Sequence, residues 1–402
     1  MPVLDLPRHI LVENGAVERL DELVTAKGGS RVFVIIDSFL AHPPVNLHER
    51  IAGVLLKKGM ESSFFSNYSG EPTTENVEEA VSQLQAFQGD CVIGIGGGSA
   101  IDLAKAVAVF GGNDGIGWSE IPQLLQLNRL PLLAVPTTAG TGSEATKVMV
   151  ITDPETNVKM NPGHPQLIPD AAVLDPELTL SLPPNFTVYT GLDALTHAIE
   201  GYVSNRASEM TDLFALEAIR KIGQSLSGVY ENGKDSDLRK EMILASCYAG
   251  IAFSNASTNL AHAAGRPLGA QFHIPHGLSV ALLLPFVMKF GLESCKERYA
   301  EVAVALGEDA SLDTEKLAQN AIKIIENYNE AFGIWNDAKK YIQPQRLIEA
   351  IPVLVADTLS GNGIATNRKV PVEHDVALIY QMLAEKVAAA GSTKNEKTLL
   401  NN

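Results

Sequence analysis

Four side chains in the second half of the chain have the types and spacing of a metal site. Asp193 and His197 form a D-x-x-x-H pair in GLDALTHAIE, and His262 and His276 follow in NLAHAAGRPLGAQFHIPHG. Residues four apart lie on the same face of a helix, so Asp193 and His197 can point at one ion. One carboxylate with three imidazoles suits Fe(II), Zn(II), Mn(II), Co(II) or Ni(II) better than Cu(I). Such an ion could act as a Lewis acid on a carbonyl or alkoxide, or it could be purely structural.

A glycine-rich turn upstream has the pattern of a nucleotide phosphate site. The strand-like run CVIGI leads into GIGGGSAID, which contains Gly96, Gly97 and Gly98. Glycines let the backbone approach a phosphate, and the N-terminus of the following helix offers unpaired N–H groups and a partial positive charge. Ser99 could cap that helix, and Ser99-x-x-Asp102 resembles a capping box. The alternative is an ordinary tight turn between a strand and a helix.

Two further features could complete a dinucleotide site. The polar loop PTTAGTGSEAT follows a strand, where α/β sheets bind ligands, although a surface loop would have the same composition. Asp37 ends the first strand, and its carboxylate could accept hydrogen bonds from an adenosine ribose while repelling a 2′-phosphate. It therefore favours NAD over NADP, unless it is a turn or cap residue. The hydroxyl groups of the loop belong to Thr137, Thr138, Thr141, Ser143 and Thr146.

The composition limits the classes of partner. The chain has 402 residues, with 31 Lys and Arg against 47 Asp and Glu, and a net charge of −16. Nucleic acids and anionic membranes bind basic patches, so we expect neither as a partner. Three cysteines make no disulfide framework and the N-terminus lacks a signal-peptide pattern, so we expect a cytoplasmic protein. The longest apolar run, residues 280–288, is far shorter than the roughly 20 residues of a membrane helix.

The order of elements predicts two domains. Residues 1–183 alternate apolar strands with helices, which is typical of a parallel sheet covered on both faces, whereas residues 184–402 carry helical patterns. The predicted fold class is an α/β N-terminal dinucleotide-binding domain with a Rossmann-like parallel sheet, followed by an all-helical C-terminal metal-binding domain. A cleft between them is the default place for a cofactor and a substrate. The predicted strands are 31–37, 91–95, 131–136 and 148–151, and the predicted helices are 49–58, 71–85, 100–110, 188–204, 209–226, 238–253, 259–271, 277–290, 314–331, 345–354 and 372–389.

From about Pro7 to Lys386 the chain resembles the iron-containing (group III) alcohol dehydrogenases. The likeness rests on GGGSAIDLAK, PTTAGTGSEAT, DPELTLSLPPNFTVYTGLDALTHAIEGYVS and HAAGRPLGAQFHIPHGLSVALLLP. It implies a dehydroquinate-synthase-like architecture, reversible NAD-dependent hydride transfer between a small alcohol and its aldehyde, and a cytoplasmic homodimer or larger homo-oligomer.

The resemblance also implies roles for individual residues. Asp193, His197, His262 and His276 would be the ligands of Fe²⁺, which Zn²⁺ replaces in some relatives. Phe253 would line the substrate pocket near the nicotinamide. The residues that would contact NAD(H) are Asp37, Gly96, Gly97, Gly98, Ser99, Asp102, Thr137, Thr138, Thr141, Ser143, Val148 and Lys159.

One position departs from the family pattern. Many members have a histidine four residues after the third ligand, where this chain has Arg266. Arginine stays protonated and cannot relay a proton, so we expect proton delivery through a ribose hydroxyl, water or His273. We hypothesise that Arg266 recognises an anionic group on the substrate, such as a sulfonate, carboxylate or phosphonate, because a guanidinium fork suits these groups. The alternative is that it pairs with a local acid or with the cofactor phosphates.

Two other functions compete with an alcohol dehydrogenase or aldehyde reductase. A dehydroquinate-synthase-like lyase would use NAD and a metal transiently, but its phosphorylated substrate needs several basic residues, and no Lys and Arg cluster surrounds the ligands in the sequence. A catalytically idle nucleotide-binding or filament-forming protein would not need an intact ligand set. Asp175 and Glu200 are interpreted as helix caps or as residues of exposed helix faces.

Overall fold

The first half of the chain supplies every strand in the part that the structure describes. The computed structural model describes residues 3–390 except 44, 114 and 157. Six strands form one parallel sheet, in the order β1-β8-β5-β4-β2-β3, and β6 and β7 form a separate antiparallel pair. The strands are β1 (His9–Val12), β2 (Arg31–Ile36), β3 (Glu61–Phe65), β4 (Cys91–Gly96), β5 (Leu132–Pro136), β6 (Ile151–Asp153), β7 (Val158–Met160) and β8 (Ala171–Leu174).

Helices cover the sheet and make up the second half of the chain. This arrangement confirms the predicted fold class. The helices are α1 (Leu20–Ala26), α2 (Ser38–Ala41), α3 (Leu47–Leu56), α4 (Thr74–Phe87), α5 (Gly98–Gly111), α6 (Pro184–Val203), α7 (Glu209–Glu231), α8 (Ser236–Ala256), α9 (Leu260–Phe272), α10 (His276–Gly291), α11 (Lys296–Ala305), α12 (Thr314–Ala331), α13 (Ile334–Ala338), α14 (Pro344–Ser360) and α15 (Glu373–Ala389).

The central strands are apolar along their whole length because both faces of the sheet are covered. Apart from Arg31, every residue of β2, β4 and β5 is buried. One core packs on each side: Val32 and Val34 belong to one, and Phe33 and Ile35 to the other. A strand buried on both faces reads as a continuous hydrophobic run, which is why these three strands were predictable.

The predicted strand 148–151 is wrong as a member of this sheet. Val148 makes only an isolated bridge with Gly163, and Ile151 begins β6, which pairs with β7. The sixth strand of the parallel sheet is instead β8, between β5 and β1. A short apolar run can be buried without joining a ladder, and periodicity alone does not separate the two cases. The strands β1, β8 and β3 were not predicted either, because β1 and β8 have only four residues each and β3 is a partly exposed edge strand without a clear apolar pattern.

By packing, the described chain forms two compact units. One consists of Val3–Leu182 with Lys234–Ser254, and the other of Pro183–Gly233 with the residues from Asn255 onward. Most of α8 thus packs with the sheet-containing unit. The boundary near residue 183 as a division between folding domains stays a prediction.

One described helix is long and apolar enough to cross a membrane by length and composition. It spans His276–Ser294, with a mean hydropathy of 1.4, and 61% of its apolar window is buried inside the protein. The core helix of a globular unit passes the same test, so this is weak evidence for a membrane span.

Candidate functional site

The four predicted metal ligands come from three helices of one unit. Asp193 and His197 lie one turn apart on α6, His262 lies near the start of α9, and His276 is the first residue of α10. Helix α6 begins at Pro184, in the LPPN segment, because proline fits the first helical position, where its missing N–H has no intrahelical partner. Oδ1 of Asp193 lies 3.4 Å from Nε2 of His262, 3.6 Å from Nε2 of His276 and 3.8 Å from Nδ1 of His197.

This cluster fits a divalent cation. Ligand atoms of Asp193, His262 and His276 lie within 4.8 Å of one another, and the ring of His197 stacks on that of His262 at 4.2 Å. Oδ1 of Asp193 and Nε2 of His262 are both buried without a hydrogen-bond partner in the described structure. Buried polar atoms are normally satisfied, and an ion between these two would satisfy both.

The charges of the cluster favour an ionised carboxylate. Burial acts to raise the pKa of Asp193, but attraction to His197, His276 and His262 outweighs it and lowers the pKa to about 2. Burial likewise acts to lower the pKa of His262, while Asp193 and Glu200 raise it. Asp193 is therefore a ready anionic ligand at neutral pH.

Glu200 holds His262 from the side opposite the cluster. It is only 2% exposed, and Oε2 accepts a hydrogen bond from Nδ1 of His262 at 2.7 Å. The backbone N–H groups of Asn259 and Ala261 donate to the same carboxylate at 2.9 and 2.6 Å. Because a carboxylate only accepts, Nδ1 carries a proton and donates it to Glu200, which leaves Nε2 to face Asp193.

The interpretation of Glu200 as a cap or exposed residue is wrong. It lies inside α6, seven residues after Asp193 and three after His197, so all three share one helix face. That spacing was the available signal. Asp175 does cap a short 3-10 helix, accepting from the N–H of Glu177, but it is fully buried and also accepts from the N–H of Gly15.

The three residues proposed to contact the substrate or move protons lie in different places. Arg266 follows His262 by one turn on α9 and is partly buried. His273 is exposed at the end of α9 in the left-handed conformation, with φ of 54°, and no hydrogen bond or ion pair of the described residues joins it to the cluster. Phe253 is partly buried on α8, within the sheet-containing unit.

In that unit, the predicted nucleotide residues gather at the carboxyl edge of three neighbouring strands. Ile36 pairs with Ile95, and Gly96 pairs with Pro136, so β2, β4 and β5 end side by side. The chain leaves β2 outward to β3 and then returns to β4 on the other side of β2. The ends of β2 and β4 therefore flank a topological switch point, which is where open α/β sheets bind ligands.

Asp37 ties this edge together. Oδ2 accepts a hydrogen bond from the N–H of Gly97 at 3.1 Å, and Oδ1 accepts one from the hydroxyl of Tyr68 at 2.6 Å. Burial, with the charge of Asp37, raises the pKa of Tyr68 far above its usual range. At Gly96, φ is 151° and a Cβ would lie 2.3 Å from Oδ2 of Asp37, so only glycine fits. Tyr68 was not foreseen, since no local pattern links it to Asp37.

The predicted cap of the helix after the glycine turn is wrong. Helix α5 begins at Gly98 with Gly97 at the N-cap, and Ser99 lies inside the first turn. No side chain caps this end, so the first-turn N–H groups are not engaged by a capping oxygen. Such a helix start favours an anion more than the predicted serine cap would.

The second loop packs against the glycine turn through small side chains. A Cβ at Gly98 would lie 3.0 Å from Cγ2 of Thr141 and 3.3 Å from Oγ of Ser143, and one at Gly97 would lie 3.7 Å from Thr138. The N–H of Thr137 donates to the carbonyl of Gly96 at 2.9 Å. These predicted cofactor residues are thus brought together at one edge.

The other predicted cofactor contacts are engaged within the protein. Nζ of the buried Lys105 lies 3.3 Å from Oδ1 of Asp102 and donates to the carbonyl of Val148 at 2.6 Å. Oδ2 of Asp102 accepts from the N–H of Val150 at 2.9 Å. Lys159 is exposed on β7 and pairs with Glu71 at 2.6 Å. Contacts of Asp102, Val148 and Lys159 with a cofactor stay predictions.

Known proteins resemble this chain along nearly its whole length. Residues 7–176 match the family model described as iron-containing alcohol dehydrogenase, and residues 187–384 match that of the Fe-containing alcohol dehydrogenase family, C-terminal. The chain is 43% identical to the probable alcohol dehydrogenase EutG of Salmonella typhimurium, over 78% of this chain and 79% of the relative. It is 33% identical to the NAD-dependent methanol dehydrogenase of Bacillus methanolicus, over 94% and 98%. A solved 1,3-propanediol oxidoreductase superposes with a TM-score of 0.90 at 29% identity, covering 95% of this chain and all of the other.

Proposed function

Because this chain belongs to the iron-containing alcohol dehydrogenase family, and is therefore an oxidoreductase of alcohols or aldehydes, we propose that it interconverts a small aldehyde and its primary alcohol with NAD(H) and a divalent metal. The observation that carries the proposal is the cluster around Oδ1 of Asp193, in which two buried polar atoms have no hydrogen-bond partner among the described residues, while His276 is exposed. A cytoplasmic location and a homodimeric or larger assembly belong to the same proposal.

The proposed metal site uses Asp193, His197, His262 and His276. Fe²⁺, or Zn²⁺ in its place, would polarise the aldehyde carbonyl as a Lewis acid. Asp193 contributes the negative charge, and Glu200 orients His262 so that its Nε2 faces the cluster. A site with prealigned ligands stabilises the charge that develops on the substrate oxygen without reorganising.

The proposed dinucleotide site lies at the carboxyl edge of β2, β4 and β5. The N–H groups at the start of α5 would bind the pyrophosphate, and the carboxylate of Asp37 would bind the adenosine ribose. NADH would supply the hydride for aldehyde reduction. Support for NAD comes from Asp37, whose negative charge opposes a 2′-phosphate, and from a relative that is named NAD-dependent.

In the proposed reaction Arg266, one helical turn after His262, does not deliver the proton. Arg266 stays protonated, because a guanidinium does not release its proton in proteins. We propose that the alkoxide would be protonated by a cofactor ribose hydroxyl or by water. His273 is a weaker candidate, because no polar contact joins it to the cluster in the described structure.

The test is anaerobic NADH oxidation by protein reconstituted with Fe(II). The panel contains acetaldehyde, propionaldehyde, 3-hydroxypropionaldehyde and lactaldehyde, together with the anionic succinic semialdehyde and sulfoacetaldehyde. We expect turnover that a chelator abolishes, that Fe(II) or Zn(II) restores and that Asp193→Asn lacks. Metal analysis measures metal binding, and NADH fluorescence titration measures cofactor binding, each independently of turnover. A protein that binds both metal and NADH but reduces none of these aldehydes would contradict the proposal.

A further inference from the structure

Arg266 is a cation next to the proposed metal ligands, and it has no anionic partner among the residues that the structure describes. It follows His262 by four residues on α9, which places the two about 6 Å apart along the helix axis. No hydrogen bond or ion pair is formed by its guanidinium with any residue that the structure describes. Arg298 in the same unit pairs with Asp212 and stacks on Tyr202, and Arg368 donates to backbone carbonyls. Arg266 therefore differs from these arginines of its unit.

The acids near Arg266 are already committed elsewhere. Burial lowers the pKa of the Arg266 guanidinium, while the charges of Glu200 and Asp193 raise it. Neither acid lies within ion-pair distance of Arg266 in the described structure. The oxygens of Glu200 accept three N–H donors, and Asp193 lies at the centre of the histidine cluster. Pairing of Arg266 with a local acid is thus not what holds it in place.

A partly buried guanidinium without a partner costs free energy when no ligand is bound, and it can bind an anion. Its five N–H donors form a planar fork that matches a carboxylate, sulfonate or phosphonate. Removing a charged donor from water without replacing its hydrogen bonds costs free energy, which a bound anion would recover.

We propose that Arg266 binds an anionic group at the far end of the substrate, which makes the preferred substrate a short aldehyde acid. This inference rests on the proposed function. With the carbonyl at the metal cluster and the anion at Arg266, the span of about one helical turn calls for a chain of about two to four carbons. The guanidinium then sets specificity and orients the substrate, and takes no part in proton transfer.

The test compares aldehydes that differ in charge at their far end. We measure kcat/KM for succinic semialdehyde, sulfoacetaldehyde and butyraldehyde in the wild type and in Arg266→Gln, Arg266→Lys and Arg346→Gln. The last removes an exposed guanidinium from α14 and is the matched control. We expect the wild type to prefer an anionic aldehyde, and Arg266→Gln to lower the anionic-to-neutral ratio by about 10- to 100-fold. Arg266→Lys keeps the charge but loses the fork, so its ratio should fall less, and Arg346→Gln should keep the wild-type ratio.

Three outcomes would overturn the inference. A wild-type preference for butyraldehyde, or an unchanged ratio in Arg266→Gln, removes the anion-binding role while leaving the proposed function intact. A higher Kd for NADH in Arg266→Gln, with an unchanged ratio, assigns the guanidinium to the cofactor phosphates.

A binding measurement separates failure of this inference from failure of the proposed function. If the metal-loaded wild type reduces no aldehyde, the proposed function fails, and Tm shifts still report on Arg266. The anionic alcohol 4-hydroxybutyrate should then raise Tm more than the neutral 1,4-butanediol, and this difference should vanish in Arg266→Gln. Equal shifts by the two alcohols in the wild type would overturn the anion site as well.

Discussion

Glu200 shows how one buried carboxylate organises its surroundings. Its two oxygens accept from two backbone N–H groups and from Nδ1 of His262, so each of its hydrogen-bond partners in the described structure is a donor. The fixed ring of His262 then directs Nε2 at Asp193. Histidine ligands commonly depend on such an outer carboxylate for tautomer and orientation. Glu200 is therefore a positioning residue of the proposed metal site.

We expect Glu200→Gln to weaken metal binding by about 10- to 100-fold. The amide puts an NH₂ group where an oxygen accepts, so it must face either the N–H of Ala261 or the donors of Asn259 and His262. Metal Kd is measured by chelator competition, a readout that does not depend on turnover. Glu385→Gln, which changes an exposed residue of α15, is the control and should keep the wild-type Kd. Equal Kd values in all three proteins would contradict the positioning role.

A second residue, Asp37, tests the choice of cofactor. Its carboxylate follows β2, and in the proposed dinucleotide site its negative charge would oppose the 2′-phosphate of NADPH. We expect Asp37→Asn to raise the NADPH-to-NADH affinity ratio by about tenfold or more, because a charge repulsion of about 1.4 kcal/mol corresponds to a factor of ten. Asparagine retains an oxygen for the N–H of Gly97, so the turn should persist. Fluorescence titration gives both Kd values, and a ratio that stays at the wild-type level would show that Asp37 does not select the cofactor.

At the scale of elements, the second polar loop depends on contact with α8. Gly142 has φ of 61°, and its carbonyl oxygen would lie only 2.6 Å from a Cβ placed at Gly250. Two glycines thus let a loop backbone lie directly on a helix backbone within one unit. This contact holds the start of the turn that carries Ser143.

Replacement by alanine should change the free energy of unfolding in opposite directions at two helical glycines, of which only Gly250 makes this contact. Gly250→Ala should lower the free energy of unfolding by about 1–3 kcal/mol, because overpacking against backbone outweighs the gain of about 1 kcal/mol in helix propensity. Gly53→Ala in α3 has no atom within 4 Å of the new Cβ and should raise it by about 0.5–1 kcal/mol. Urea denaturation at constant m-value measures both. Stabilisation by Gly250→Ala would show that the loop can move away.

For the whole molecule, a buried acid makes stability depend on pH. Burial raises the pKa of Glu144 to about 7, against the opposing effects of a backbone N–H, the charge of Lys105 and the thiol of Cys247. Its Oε1 has no hydrogen-bond partner in the described structure. In the unfolded chain this group ionises near its ordinary pKa of 4.5, so between these values the folded state binds more protons.

The contribution of protonated Glu144 to stability is therefore complete below about pH 4.5 and is lost as pH rises to about 7. Over that window the wild type should lose about 3 kcal/mol relative to Glu144→Gln, whose amide does not titrate. Urea denaturation of both proteins from pH 5 to 8 measures the difference. A difference that stays constant with pH would mean that Glu144 ionises normally in the folded state.

The sequence alone determined the local chemistry of both candidate sites. Helix and turn geometry acts over a few residues, so local sequence patterns can be interpreted with it. The spacing of Asp193 and His197 and the strand–turn–helix pattern around Gly97 were predictable for this reason. The apolar strands β2, β4 and β5 were equally legible, because burial on both faces leaves a continuous hydrophobic run.

Tertiary structure decided what depends on residues far apart in the chain. Three arrangements join segments that have no local signature in the sequence. Strand β8 lies between β5 and β1, and helices α6, α9 and α10 converge on Oδ1 of Asp193. The hydroxyl of Tyr68 also donates a hydrogen bond to Asp37. Only the packing of the helices shows that Glu200 points inward, and that Arg266 has no ion-pair partner among the described residues. Contacts between segments far apart in the chain depend on the packing of the whole core, and local sequence patterns carry little information about them.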